Sequence, residues 1–140
     1  MKKLYFFLTV MLLSLVSVGV TSCGDDKDEP KGDGLVGTWQ LKLVDEEGRS
    51  IENLVQFTKN GKWNSVEIVT DDIGISVEVE KGTYTVSGDK ITVAYTEDGK
   101  TVTEMITYVV KGNKLMLTYE DVPVAITFDR VKDSVIEQYL

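Results

Sequence analysis

Few residues in this chain can do chemistry, and their types exclude more than they permit. There is one cysteine, Cys23, and no histidine. Histidine is the commonest general base near neutral pH and the commonest transition-metal ligand. Without it, and with one thiol, neither a zinc site nor a nucleophile–histidine arrangement can be built. Carboxylates remain. Glu104 shares strand parity with Ile106 and Tyr108, and Glu67 shares it with Trp63 if that strand has no bulge. Two inward carboxylates could serve as acid and base, as in glycosidases, although sequence spacing fixes no distance between them. An inward carboxylate is costly unless it is paired or sits at an open mouth. Asp71, Asp72, Glu97 and Asp98 read as solvated turn residues and lack the spacing of a calcium loop. No phosphate-binding glycine loop occurs. The expectation is a non-enzymatic protein with no catalytic residue, no metal and no cofactor.

Aromatic residues are better placed for binding. Tyr84, Tyr95, Tyr108 and Tyr119 share inward parity, as do Trp39 and Phe57. A buried tyrosine hydroxyl needs a partner. These six residues are the expected ligand contacts if a ligand enters the fold. The competing expectation is that the tyrosines sit at the rim with hydroxyls in water and that Trp39 anchors the core.

The setting of Cys23 gives the address. Met1-Lys2-Lys3 is a basic start, Leu4 to Val20 is almost continuously apolar, and Val20-Thr21-Ser22-Cys23 ends the run with small residues. This segment resembles the signal peptide and lipobox of bacterial lipoproteins. The resemblance implies cleavage before Cys23, a diacylglycerol on its thiol and further acylation, for example by palmitate. Residues 1–22 are therefore set aside as a leader. They are short for a membrane span and lack a basic stop-transfer flank. Acyl chains would supply the membrane attachment, each buried methylene contributing ~0.8 kcal/mol. An acylated Cys23 leaves no thiol for disulfide or metal chemistry.

Residues 23–34 follow as an acidic tether. Gly24 to Gly34 contains no apolar residue and reads as a solvated linker. Acids just after the lipid-bearing cysteine resemble the surface-export signal of Bacteroidetes lipoproteins. That implies an outer-membrane, lipid-anchored and surface-exposed protein; simple solubility is the plainer reading. The chain has 15 basic and 23 acidic side chains, and its leader holds two of the lysines and no acid. Such a balance excludes nucleic acid as a partner, because phosphates require a basic face. It also excludes electrostatic adhesion to anionic lipid.

From residue 35 to 140 the chain reads as one all-β domain. Apolar residues recur with period two in short runs: Leu35 to Leu43, Val55 to Phe57, Ile73 to Val79, Tyr84 to Val86, Ile91 to Tyr95, Ile106 to Val110, Leu115 to Tyr119 and Val124 to Phe128. This is the mark of half-buried antiparallel strands. Glu47-Gly48, Asn60-Gly61, Gly88-Asp89, Asp98-Gly99 and Gly112-Asn113 are hairpin signals between them. After Trp63 the apolar positions shift to Val66 and Ile68, so a β-bulge at Asn64-Ser65 is expected to return them to one face. The count is eight strands, or nine if Gly82 divides the run from Val79 to Tyr84. Consecutive hairpins imply an up-and-down meander barrel, its interior just wide enough to be filled or to hold one small ligand. Val131, Val135, Ile136 and Tyr139 are spaced for a short C-terminal helical turn, capped by Asp133 or Ser134, which would cross one end of the barrel or fray.

Gly37-Thr38-Trp39 resembles the Gly-x-Trp signature of lipocalins. Leu35 to Leu41 is similar to the opening of the lipocalin-like domain of Bacteroidetes lipoproteins. Gly82-Thr83-Tyr84-Thr85-Val86, followed by Gly88-Asp89-Lys90-Ile91, is similar to its middle hairpin. The resemblance covers residues 35–131. It implies that Gly37, Trp39 and Arg130 close the barrel, with Arg130 stacked on Trp39. It further implies a binding role, towards a small apolar molecule, a glycan or an envelope protein. The region is shorter than a transport lipocalin and lacks a second lipocalin motif and a cysteine pair. The alternative is therefore an interaction or inhibitor module with a filled core. In that case the loops Asp71 to Gly74 and Asp121 to Pro123 are the expected contacts.

Overall fold

The computed structural model describes residues 34–140. The leader, Cys23 and the tether as far as residue 33 lie outside the described residues. Eight strands follow in chain order: β1 (Gly37–Val44), β2 (Ser50–Phe57), β3 (Lys62–Thr70), β4 (Ile75–Ser87), β5 (Lys90–Glu97), β6 (Lys100–Lys111), β7 (Lys114–Tyr119) and β8 (Val122–Val131). Each pairs antiparallel with the next, and β8 returns to β1, placing Arg130 opposite Trp39. The fold is thus a closed eight-stranded meander barrel. The turn chemistry follows the sequence. Asp98 and Gly99 both take positive φ, 53° and 78°, as a type I′ hairpin turn requires.

Gly82 does not divide a strand. It lies inside β4, which pairs with β3 from Ile75 to Thr83 and with β5 from Gly82 to Ser87. A Cβ at Gly82 would stand 2.1 Å from the Ala94 carbonyl oxygen. Absence of a side chain lets β4 and β5 approach closely where the sheet curves.

The main core fills the barrel interior, with Trp39, Phe57, Ile91, Leu115 and Phe128 fully or nearly fully buried. A second cluster lies outside the barrel. The expected bulge in β3 is absent, since the registers of β2–β3 and β3–β4 run without a break. The irregularity falls instead between Leu117 and Tyr119, on β7. Trp63 therefore faces inward, while Val66 and Ile68 face outward with Leu54. They are covered by Ile136 of the short helix α1 (Ser134–Glu137). The helix lies on the outer wall and not across a barrel end. Asp133 precedes it without capping it through its side chain. Its carboxylate accepts a hydrogen bond from the Thr38 hydroxyl at 2.8 Å, and Thr38 accepts from the Gln56 amide at 3.3 Å. Asn64 in turn donates to Gln56 at 2.8 Å. This row satisfies the buried Thr38 and Gln56 and fixes the helix to three strands.

The outer half of β4 is inverted relative to its expected facing. Ile75, Val77 and Val79 are 69, 44 and 42 % exposed on the outer wall, and Ile73 is 93 % exposed in the preceding turn. Val77 and Val79 stand opposite Ile68 and Val66, so they extend the outer apolar cluster. Glu78 and Glu80 take the interior positions. A period of two is satisfied by either facing, and a shift of one residue exchanges the two faces completely.

Candidate functional site: an acid-lined cavity in the barrel

The inverted half of β4 shapes the interior. A cavity of about 60 Å³ lies among β2 to β7. Its apolar wall comes from Val55 and Phe57 on β2, Ile106 on β6 and Leu117 on β7. Trp63, Tyr95 and Tyr119 supply aromatic surface, and Asn53 and Ser65 add small polar groups. Four carboxylates complete it: Glu67 on β3, Glu78 and Glu80 on β4, and Glu104 on β6.

Register explains the grouping. Trp63, Gly82 and Tyr95 form one inward row across three strands. Gly82 contributes no side chain, so the flanking rings meet over it, their centroids 5.4 Å apart and planes tilted by 35°. One step along, Ser65 stands opposite Glu80; one further, Glu67 stands opposite Glu78.

Burial perturbs the groups at the site. The Glu104 carboxyl is pushed above the usual carboxylate range, chiefly by desolvation, with Asp121 and Glu80 adding repulsion. The Tyr95 hydroxyl, 3.5 Å from the Glu104 carboxylate, opposes that shift by donating to it. The Tyr95 and Tyr119 phenols are both shifted strongly upward, first by burial and then by Glu104. Both remain protonated donors at neutral pH. Among the described residues no group of three or more acidic, histidine or cysteine side chains is placed to hold a metal ion.

The six aromatic candidates divide into two sets. Phe57, Tyr95 and Tyr119 line the cavity; Trp39, Tyr84 and Tyr108 do not. Trp39 is fully buried and donates its indole N–H to the Leu35 carbonyl at 3.0 Å. The Arg130 guanidinium lies over its ring, 4.2 Å from the centroid, and donates to the Val36 and Gly34 carbonyls at 3.1 and 2.8 Å. Gly37 makes room for it, since a Cβ there would meet Arg130 Nη1 at 2.6 Å. Tyr84 packs edge-on against Phe57, 5.0 Å between centroids, and donates to the Thr58 carbonyl at 2.5 Å. Tyr108 is partly buried against the main core. Glu67 and Glu104 both reach the cavity, Glu67 because β3 carries no bulge and Glu104 because it stands opposite the inward Val93.

Trp63, Glu78 and Glu80 were not among the expected contacts. A signal for the two acids was present, because an unbroken β4 with Tyr84 inward forces positions 82, 80 and 78 inward. Of the two candidate loops, Asp71 to Gly74 is an exposed turn, its Asp71 carboxylate accepting from the Ile73 and Gly74 N–H groups. Asp121 to Pro123 is not a free loop, since Val122 is buried and β8 begins there.

The comparisons agree with this architecture. No curated protein matches the chain. Residues 35–117 match the model of the lipocalin-like domain, from the first strand into the seventh. A single barrel closed between β1 and β8 beside Trp39, with a cavity lined from six strands, accords with that match, and the chain belongs to the family of lipocalin-like domains.

Proposed function

We propose that this protein is a lipid-anchored binding protein of the bacterial cell envelope, held in the outer membrane through Cys23 and displayed on its tether. The barrel takes a small ligand into the cavity between Trp63, Tyr95 and Tyr119. One observation carries the ligand reading: the barrel turns carboxylates towards its interior on β4 while leaving valine and isoleucine outside. A barrel that served only as a scaffold would gain stability from turning valine and isoleucine to the interior, since apolar burial is stabilising; here Glu80 is half-buried and Glu78 exposed instead. The walls suit a ligand with polar groups and a stacking face, a glycan fragment or a comparable small molecule, better than a purely apolar one. The reading is one of binding and assigns no catalytic role to Glu67 and Glu104, both of which line the cavity.

Native mass spectrometry of the protein purified from its own host tests this. Retention of a small molecule that is lost on unfolding is the expected result; a bare mass from gently extracted protein would refute it. Two observations favour the second reading, an interaction or inhibitor module. The cavity of about 60 Å³ is smaller than the ~300 Å³ at the low end of typical ligand pockets. The exposed strip Ile73, Ile75, Val77 and Val79 is apolar. Crosslinking on whole cells that captured a defined envelope protein through this strip would support that alternative.

A further inference from the structure

We infer that the open edge of β4 joins two copies of this chain, through an antiparallel strand pair centred on Val77. The inference concerns the outer wall and stands apart from the ligand reading of the cavity.

The edge follows from register. β4 pairs with β3 from Ile75 to Thr83, whereas its pairing with β5 begins only at Gly82. Residues 75–81 therefore run past the end of the β4–β5 ladder. Successive residues of an antiparallel strand point their backbone groups to opposite neighbours. The Tyr84 N–H donates to the Gly61 carbonyl, on the β3 side, at 2.9 Å. Counting back in steps of two sends the backbone of Gly82, Glu80, Glu78 and Ser76 to β3. The N–H and C=O groups of Ile75, Val77 and Val79 point the other way, beyond the reach of β5. Among the described residues these groups meet no hydrogen-bond partner.

The chemistry of the edge names the class of occupant. A row of alternating N–H and C=O groups is completed by another extended backbone, not by a lipid or a small ligand. Natural sheets blunt such edges with proline, a bulge or a charge on the strand. The run from Ile75 to Val79 is regular in register and holds no proline. Its outer side chains Ile75, Val77 and Val79 are exposed, apolar and β-branched, which suits a pleated partner.

The order of residues along the edge names the copy. A two-fold contact must be self-complementary, residue i meeting j while j meets i. Pairing about Val77 satisfies this over the whole run. Val77 stands opposite Val77 of the second copy, and Ile75 opposite its Val79, twice. These are the residues whose backbone groups face the open side, so about six ladder hydrogen bonds form. Every outer pair is apolar, and on the inner face Ser76 stands opposite Glu78 of the second copy. Moving the centre to Ile75 or Val79 leaves part of the run unpaired. The two outer strips merge into one apolar face. Each is continuous with its own cluster of Leu54, Val66, Ile68 and Ile136, and burial of such a face is stabilising.

Disulfide trapping in the full-length protein, expressed in its own host, tests the pairing. Opposed residues of a hydrogen-bonded pair lie ~5.5 Å apart, within reach of a disulfide. The variants I75C, V77C, V79C and T85C are oxidised with copper–phenanthroline, and the parent protein gives the background from Cys23. Thr85 is already paired with Thr92, so T85C reports random collision. The expected result is a covalent dimer of V77C, about tenfold above T85C. I75C and V79C should trap each other when two tagged copies are coexpressed, about fivefold more than either traps itself. Adding V77P or V77K to both of those copies should lower that trapping about tenfold. Proline removes the N–H on the open side, and lysine sets two like charges on the two-fold axis. Neither touches the β3 ladder, so the barrel should keep its Tm within a few degrees; V77K decides the matter if V77P does not fold. A V77C yield no higher than that of T85C would overturn the inference. So would trapping of V77C to a different protein, or self-trapping at I75C or V79C in place of V77C. Undiminished I75C–V79C trapping in a folded V77K background would overturn the strand pairing as well.

Discussion

Replacing Gly82 by alanine is the sharpest perturbation this barrel offers. The backbone at Gly82 does not have positive φ, so the cost is one of space and not of conformation. The new Cβ would lie 2.1 Å from the Ala94 carbonyl oxygen and 3.1 Å from Tyr95 Cβ. Ordinary contact needs ~3.5 Å, and the nearest obstacle is backbone in the β4–β5 ladder. No rotamer change relieves it, so the strands must part around the Gly82–Tyr95 pair. Overpacking of this kind costs ~1–3 kcal/mol. A ladder hydrogen bond lost with it adds ~1 kcal/mol. Loosening the Trp63–Tyr95 contact adds ~0.5–1.5 kcal/mol. The expected loss is about 3–5 kcal/mol, a large part of the ~5–15 kcal/mol that holds a typical domain folded. In a domain of this size that lowers Tm by roughly 10–20 °C. The control is Gly112→Ala. Gly112 has φ 59° and nothing within 4 Å of a built Cβ, so it should lose only the ~1 kcal/mol or so of the left-handed conformation. Urea and thermal unfolding followed by circular dichroism, with Trp63 fluorescence in parallel, measure both. A Gly82→Ala variant no less stable than Gly112→Ala would refute the close approach of β4 and β5.

Other perturbations test other parts. Arg130→Gln should cost about 2–4 kcal/mol in urea unfolding, since it removes a cation–π contact and two charge-assisted hydrogen bonds; Arg130→Lys should recover only part of it, and an unchanged midpoint for Arg130→Gln would count against closure by stacking. Ile136→Ala should destabilise by about 2–4 kcal/mol, because its fully buried side chain covers Leu54 and Val66; a loss below ~0.5 kcal/mol would mean that α1 is not docked. Glu104 has a raised pKa in the fold, so the folded state binds a proton more tightly than the unfolded chain does. Its contribution is most favourable below the ordinary glutamate pKa and is lost as pH rises through the raised value. Glu104→Gln should therefore raise Tm at pH 7 and lose that advantage towards pH 4; a Tm difference independent of pH would contradict the burial argument. Cys23→Ser should abolish palmitate labelling and release the protein from the membrane fraction, and retention at the membrane would refute the lipid anchor.

By itself the sequence determined the strands, their order and most of their turns. Period two from Leu35 to Phe128, punctuated by glycine-bearing dipeptides, specifies hairpins whatever surrounds them, because turn geometry and pleat are local properties. Consecutive hairpins leave a meander, and closure is the way such a sheet removes its edges. The same local character hid the facing of β4. Ile75, Val77 and Val79 alternate with Ser76, Glu78 and Glu80 equally well in either orientation. The structure chooses between them: β4 runs unbroken through Gly82, which ties these positions to the inward Tyr84, and α1 buries Val66 and Leu54 from outside, which fixes β3 and the facing of its partner. The bulge expected in β3 failed for the same reason, since it assumed one apolar face where the protein has two. Trp63 and Tyr95 meet only because Gly82, far from either in the chain, stands between them in the sheet. Alternation is a property of neighbours in sequence. A cavity is a property of six strands at once: parity marked Glu67 and Glu104 as inward candidates, and the placed strands brought Glu78 and Glu80 to the same wall.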